Sequence, residues 1–260
     1  MLNLDQRHHE GPLDIIGDVH GCLNELNALF ALLGYRRDPD AGWQSPSGRM
    51  PVFVGDLVDR GPASVGVVEL VIRMVNHEAA FCVVGNHDLK FEQYLRGESI
   101  PLLYGLDTTV AEFDGQPREV RDRTMAFLDS LPGQYVFDHG RLVVAHTGLA
   151  ECHHGVDSPD VRHLAAFGMH DDATDPGDIE KRHPWIVDYA GSAHVVYGHT
   201  PVLEAAWRDR TLGIDTGCVF GWRLTALRWP ERLLVSVPAE RVHATRRRPF
   251  LPDPGSAFTT

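Results

Sequence analysis

Long apolar runs are missing from this chain of 260 residues: hydrophobic side chains make up 43% of it, yet no uninterrupted stretch nears the length of a helical membrane span, roughly 18 residues. The opening twelve residues, with Asp5, Arg7, His8, His9 and Glu10 among them, also lack the apolar segment of a secretory signal. A cytoplasmic protein without a membrane partner is the expectation. Basic residues are scarce, 24 Lys plus Arg against 36 Asp plus Glu, and the net charge of -12 argues against stable, non-specific binding to nucleic acid. A locally cationic site can still capture an anion, because surface charges are screened beyond about 8 Å. Paired cysteines are absent too. Cys22, Cys82, Cys152 and Cys218 stand far apart, with no C-x-x-C spacing for a zinc knuckle or a redox motif, so reduced thiols are expected. No internal repeat is present. The length fits one large α/β domain, expected over residues 1–245, with a flexible tail at 246–260 that opens on Arg246, Arg247 and Arg248.

What the chain does contain is an alternation of apolar strands and amphipathic helices. Leu13 to Gly17 reads as the first strand; Leu23, Leu26, Phe30 and Leu33 then recur at helical spacing up to Gly34, a residue suited to end a helix. Pro51 to Gly55 reads as the second strand, with a helix after Pro62, and Ala79 to Gly85 as the third, with a helix from about His87 to Arg96. Later strands are expected at Arg141 to Ala145, His194 to Tyr197, Leu212 to Asp215, Leu224 to Trp229 and Leu233 to Val237. The stretch 98–122 has no clear period and is read as an excursion rimming the site. Two packed mixed sheets flanked by helices follow from this pattern.

Three of the early strands end in a glycine followed by short polar residues: Gly17-Asp18-Val19-His20-Gly21, Gly55-Asp56-Leu57-Val58-Asp59-Arg60-Gly61 and Gly85-Asn86-His87-Asp88. In an open α/β sheet ligands bind at the carboxyl ends of the strands, so Asp18, His20, Asp56 and Asn86 should converge there. His146 and His199 close two later strands in the same way. Singly, a Gly-Asp pair is an ordinary turn and a lone histidine an ordinary core residue. Five such motifs in order, at strand ends, point instead to a metal centre built from two carboxylates, an amide and three imidazoles.

With these residues in view the chain resembles the calcineurin-like metallophosphoesterase superfamily, whose motifs read G-D-x-H-G, G-D-x-x-D-R-G, G-N-H-D/E, a later His, and G-H-T. Within it, Tyr197-Gly198-His199-Thr200-Pro201, Ile214 to Gly221 and the following strand pair resemble the phosphatase module of bacterial polynucleotide kinase-phosphatases and the dinucleoside tetraphosphate hydrolases. The resemblance implies a sandwich of two mixed sheets in α-β-β-α layers and two divalent metal ions that activate water against a phosphate. It implies Asp18 and His20 on the first ion, Asp56 between the two, and Asn86, His146 and His199 on the second. Imidazole-rich ligands favour manganese, with iron or zinc as alternatives, over magnesium or calcium. His87 is expected to protonate the leaving oxygen, Asp59 to orient it, and Arg60 to hold phosphate oxygens. Asp215 is expected to hold a ligand imidazole in its metal-binding tautomer, although an aspartate capping a turn is the plain alternative. Arg182 is the candidate for a second phosphate-binding arginine.

His8-His9 and Cys152-His153-His154 lack a third ligand at defined spacing and read as surface histidines. The acidic stretch from Asp171 to Glu180 lacks the spacing of a calcium loop and reads as solvated. The leading expectation for function is hydrolysis of phosphomonoesters, on a phosphoprotein or a nucleotide. The alternative is a bis(5'-nucleosyl)-tetraphosphatase, which cleaves an anhydride, and a third reading is an inactive scaffold, against which the complete ligand set speaks.

Overall fold

Ile15 and Ile16 are neighbours in the chain yet sit in different cores, because successive side chains of a strand leave opposite faces. In this computed structural model, which describes residues 2–168, 185–186, 189–246 and 250, that alternation sorts the strands into two mixed sheets and a separate hairpin. The first sheet carries β2 (Leu13–Ile16), β5 (Met50–Phe53) and β6 (Phe81–Cys82) in parallel, with β12 (Arg223–Trp229) and β13 (Leu233–Pro238) antiparallel beyond β2. The second runs β1 (Asp5–Gln6), β7 (Gln134–Phe137), β8 (Leu142–Ala145), β9 (His194–Tyr197), β11 (Thr211–Gly213) and β10 (Trp207–Arg208). The hairpin pairs β3 (Arg36–Asp38) with β4 (Gly42–Gln44).

Between the sheets, Ile15, Val52, Val54 and Val83 meet Tyr135, Phe137, Val144 and Val196. On the outer face of the first sheet, Leu26, Leu29 and Phe30 of α1 (Leu23–Leu33) and Val67, Val68 and Val71 of α2 (Ser64–Asn76) cover Ile16, Phe53 and Ala226. On the far side of the second sheet, Val161 and Ala165 of α6 (Pro159–Phe167) pack on Ala145 and Leu149. The layers are therefore α-β-β-α, as expected. Each layer exists because a strand hydrophobic on both faces must be covered twice. Gly34 closes α1 at φ 89°, its N–H donating to the Ala31 carbonyl and the Tyr35 N–H to the Phe30 carbonyl.

Three departures from the sequence reading have physical causes. The third strand pairs over Phe81–Cys82 alone, because the chain then leaves the ladder: Val84 N–H turns to the Pro132 carbonyl, 3.0 Å, and brings Gly85 against Asp56. The excursion at 98–122 contains α4 (Leu106–Asp114) and the start of α5 (Arg118–Ser130), with Leu106, Val110 and Phe113 buried at helical spacing. The strands β1, β7 and β10 and the helix α6 were not anticipated; β7 is a fully buried run between turns whose periodicity cannot distinguish strand from helix. In the tail Arg246 and Phe250 are described, and the Phe250 ring lies so close to Gly217 that a Cβ there would meet it at 2.1 Å.

Candidate metal and phosphate site

The loops that follow β2, β5, β6, β8 and β9 meet at one end of the two sheets and are tied to each other through their backbones. His20 N–H donates to the Asp56 carbonyl at 2.8 Å, Gly21 N–H to the Leu57 carbonyl at 2.9 Å, and Gly198 N–H to the His146 carbonyl at 2.9 Å. Two glycines are needed for closeness. A Cβ at Gly198 would stand 1.9 Å from Asp18 Oδ1, and one at Gly85 would stand 2.2 Å from Asp56 Oδ1. The same loops hold side-chain-bearing residues where such residues are uncommon: His20, Asp56, Asp59, Arg60 and His199 have φ of 43, 51, 75, 70 and 69°.

The expected residues converge. His146 Nε2 lies 3.1 Å from Asn86 Oδ1 and 3.3 Å from Asp56 Oδ2, and His199 Nδ1 lies 2.9 Å from Asn86 Oδ1 and 3.2 Å from His146 Nε2. His146 Nδ1–H donates to the Val54 carbonyl at 2.9 Å, which leaves Nε2 facing this cluster. A second cluster shares Asp56: His20, Asp56 and His87 present ligand atoms within 4.8 Å of one another. Asp18 accepts from His199 N–H at 3.0 Å, so its carboxylate is held beside the first cluster. Arg60 donates to His20 Nε2 at 2.5 Å and to His87 Nε2 at 2.7 Å, and His87 Nδ1–H donates to Asp59 Oδ2 at 2.5 Å.

Charge explains which protons reside here. Burial lifts the Asp56 carboxyl, but the imidazoles of His146, His87 and His20 outweigh it and hold Asp56 well below the usual carboxylate range. Burial, then the carboxylates of Asp215 and Asp56, hold Asp18 well above it. Burial lowers His146, yet Asp56 and Asp18 reverse the effect and raise it to about 9. Burial and the Arg60 guanidinium hold His20 and His87 well below the usual imidazole value, and burial lifts Asp59 to about 7.

The donor set fits a pair of divalent cations. In the first cluster an amide oxygen, a carboxylate and two imidazole nitrogens face one another, and a proton on any one of them leaves the other lone pairs unmatched. The cluster recruits positive charge, which is why His146 holds its proton to about 9. In metal-stripped protein this predicts a definite sign of pH dependence. The folded value of His146 lies above the ordinary histidine value of 6.5, so its contribution to stability is complete below 6.5 and is lost as pH rises through about 9. Above about 7 Asp59 and Asp88 are already ionised. The expected outcome is a melting temperature that falls by several degrees between pH 7 and 9 after chelation, read by calorimetry, with His146→Gln flattening the slope.

Three expectations need revision or fall outside the described residues. Asp215 is 4% exposed, and its Oδ1 accepts from Gly217 N–H at 2.9 Å, two residues on; among the described residues no imidazole donates to it. The plain turn-capping reading describes it, since a side chain this short finds the local N–H first. Arg182 and the acidic stretch from Asp171 to Glu180 lie outside the described residues. His154 Nε2 contacts the Leu149 carbonyl and His9 packs edge-on to Phe81; among the described residues neither histidine pair falls in a group of potential metal ligands. A third group, Cys22, Glu25 and Cys218, is buried under α1, where Glu25 accepts from His243 Nε2 at 2.7 Å.

The sequence reading missed three supports of the site. Asp88 accepts from the N–H groups of Asp56 (2.8 Å), Leu57 (2.9 Å) and Gly85 (2.9 Å), so one buried carboxylate fixes two of the motif loops together. Its place at the third position of α3 (Asn86–Leu95), after Gly85, is the signal that could have revealed it. Asp88→Asn puts an amide NH2 against a backbone N–H; the expected cost is about 1–3 kcal/mol of stability, read by urea unfolding, and roughly 10- to 100-fold weaker metal binding. Thr109 and Glu112 come from α4: Thr109 Oγ1 donates to Asp59 Oδ1 at 2.7 Å, and Glu112 caps α2 through Ser64 N–H (3.0 Å) and Val65 N–H (3.2 Å). The excursion is a buttress for the Asp59-Arg60 loop. Gly105 presses on it so closely that a Cβ would lie 2.5 Å from Arg60 N.

Comparison with known proteins agrees with this geometry. A family model for calcineurin-like phosphoesterases matches residues 11–230. The bis(5'-nucleosyl)-tetraphosphatase PrpE [asymmetrical] of Anoxybacillus flavithermus is 40% identical over 242 residues, covering 91% of this chain and 98% of its own. The protein of that name from Geobacillus thermodenitrificans is 40% identical, with 90% and 97% covered. A crystal structure described as a candidate diadenosine tetraphosphatase superposes with a TM-score of 0.69 at 25% identity, covering 91% of this chain and 97% of that one. A serine/threonine phosphatase from Saccharomyces cerevisiae shares the fold, with a TM-score of 0.60 at 14% identity. No helix among the described residues is long and apolar enough to cross a membrane. The chain belongs to the calcineurin-like phosphoesterase family, whose centre is binuclear and metal-dependent, and it is a hydrolase of phosphate esters.

Proposed function

We propose that this chain hydrolyses dinucleoside tetraphosphates, cutting the chain unequally into a nucleoside triphosphate and a nucleoside monophosphate. The observation that carries the substrate is the 40% identity, over nearly the whole of both chains, to proteins named for that asymmetrical activity. It favours the alternative drawn from the sequence over hydrolysis of phosphomonoesters. In this reading the catalytic unit spans residues 1–245.

Asp18, His20 and Asp56 would hold one divalent ion, and Asp56, Asn86, His146 and His199 the other. Manganese is our choice, because imidazole donors suit it, with iron and zinc close in preference. When bound, such a pair supplies Lewis acidity and lowers the pKa of water from 15.7 toward about 7. The remaining work falls to the chain itself. Arg60 now spends its two-pronged guanidinium on His20 and His87, 2.5 and 2.7 Å away. His20 would give its Nε2 lone pair to a cation when one is bound, and Arg60, no longer donating there, would bind two phosphate oxygens. His87, its Nδ1–H fixed by Asp59, presents to the site an Nε2 that is unprotonated while Arg60 donates to it; once a phosphate draws Arg60 away, Nε2 takes a proton from solvent and passes it to the departing phosphate oxygen. Thr109 keeps Asp59 in place. Water's oxygen joins phosphorus as one of its protons is released to solvent, the bridging P–O bond breaks, and its electron pair leaves with the departing nucleotide, which takes the proton from His87.

The test is substrate competition with manganese-loaded protein: diadenosine tetraphosphate, p-nitrophenyl phosphate and a phosphoserine peptide, with products resolved by chromatography. The expected kcat/KM is highest for the tetraphosphate by about tenfold or more, ~1.4 kcal/mol of transition-state binding. A clear preference for either monoester, or symmetrical products, would reject the reading.

A further inference from the structure

Beside Arg60 begins a stretch of aromatic surface that the chemistry above does not use. Phe220 ends a short 3-10 turn (Cys218–Phe220), and its ring centroid lies 5.3 Å from the Arg60 guanidinium carbon. Two residues on, Trp222 is 38% exposed, although tryptophan is usually covered in a fold. It is not loose. Its indole N–H donates to the Leu203 carbonyl at 2.7 Å, and the turn beneath it is pinned by Phe220 N–H and Trp222 N–H on the Gly217 carbonyl, at 3.0 and 3.2 Å. Gly221 lies at φ 88°, and a Cβ there would meet Val242 Cγ2 at 2.6 Å, so the C-terminal segment packs directly behind the turn. That segment is anchored by His243 and Ala244 N–H groups on the Val219 carbonyl, both 3.0 Å. The Arg223 guanidinium carbon sits 4.5 Å from the Trp222 ring.

The result is a rigid ledge: an exposed, oriented indole with a cation against it, held by the carbonyl of Leu203 and backed at Gly221 by Val242, two apolar residues that are 41% and 64% exposed. A flat aromatic held in one orientation is suited to stack a flat ligand, since little side-chain entropy is lost on binding. The ledge starts at the arginine assigned to phosphate and carries a second guanidinium, so it suits a planar group attached to an anionic chain. Resting on the tetraphosphate reading, we infer that the ledge from Phe220 to Trp222 is a nucleoside subsite, where one base of the substrate stacks on Trp222. Stacking uses the π-face that every base has, and Leu203 and Val242 offer no side-chain donor or acceptor to read base edges. The subsite therefore accepts adenine and guanine alike.

The experiment compares inhibition by adenosine monophosphate and by ribose 5-phosphate, which share the phosphate and the sugar and differ in the base. Each Ki is read against p-nitrophenyl phosphate turnover by manganese-loaded protein. In the unmodified protein adenosine monophosphate is expected to bind about 5- to 150-fold more tightly, the contribution of one stacked base. Trp222→Ala should bring the two constants together, and Trp222→Phe should restore most of the gap. Trp222 is 38% exposed and stands outside the buried core, so its truncation leaves the core intact, and unchanged thermal unfolding verifies that. Equal constants in the unmodified protein, or a gap that survives Trp222→Ala, overturn the subsite. The two readings fail separately: the substrate competition above can come out for monoesters whatever the Ki ratio is, and the ratio can vanish while the tetraphosphate remains the preferred substrate.

Discussion

His87→Asn lowers kcat on alkyl phosphates by about 10²- to 10⁴-fold and costs far less on p-nitrophenyl phosphate. The asymmetry follows from the proton. An alkoxide leaves poorly without one, whereas p-nitrophenolate needs little help. His87 is buried, its Nδ1–H held by Asp59 at 2.5 Å, and its Nε2 faces the site. Asparagine retains an amide that can donate to Asp59 but presents nothing acidic to the leaving oxygen. Hydrolysis of diadenosine tetraphosphate should fall between the two extremes, since the departing nucleotide is itself a stable anion. Steady-state kinetics on all three substrates give the result directly; equal losses throughout would show that His87 only supports the loop.

Asp56→Asn should be the more damaging change. Its carboxylate is within 3.5 Å of His20 Nε2 and 3.3 Å of His146 Nε2, so it is the one acidic group common to both clusters. An amide in its place removes a negative charge from between the imidazoles and turns one acceptor into a donor. Losing the several kcal/mol of transition-state charge stabilisation that a bound metal supplies corresponds to a drop on the order of 10³-fold or more in kcat/KM. Elemental analysis should find fewer than two metals per chain after dialysis. A variant that keeps both and loses activity alone would place Asp56 in some role other than the bridge.

The parts of this site that could be read from the sequence are those carried by short-range pattern. Asp18, His20, Asp56, Asn86, His146 and His199 each follow an apolar strand, and parallel strands in one layer end on one side, so their convergence was legible. The parts that could not be read depend on contacts between distant segments. Thr109 reaches Asp59 across 50 positions, and Glu112 caps α2 across 48, and neither leaves a local trace in the sequence. Asp215 shows the reverse error, where a long-range role was expected and the Gly217 N–H two residues away proved the nearer partner. The end of the third strand was misplaced because apolar Val83 and Val84 continue the pattern after the ladder stops. Substrate choice was least legible, since the phosphoryl-facing residues are indifferent to what the phosphate is attached to.

The left-handed backbone at His20, Asp56, Asp59, Arg60 and His199 bears on any attempt to harden this enzyme against heat. Strain of about 1–3 kcal/mol per residue is what glycine would release at such positions, so, with the roles proposed for these five residues, the substitutions that most readily raise the unfolding temperature are the ones that dismantle the catalyst. A library screened for thermal survival alone would enrich robust, silent proteins. Improvement has to come from elsewhere on the surface, with turnover measured in the same round.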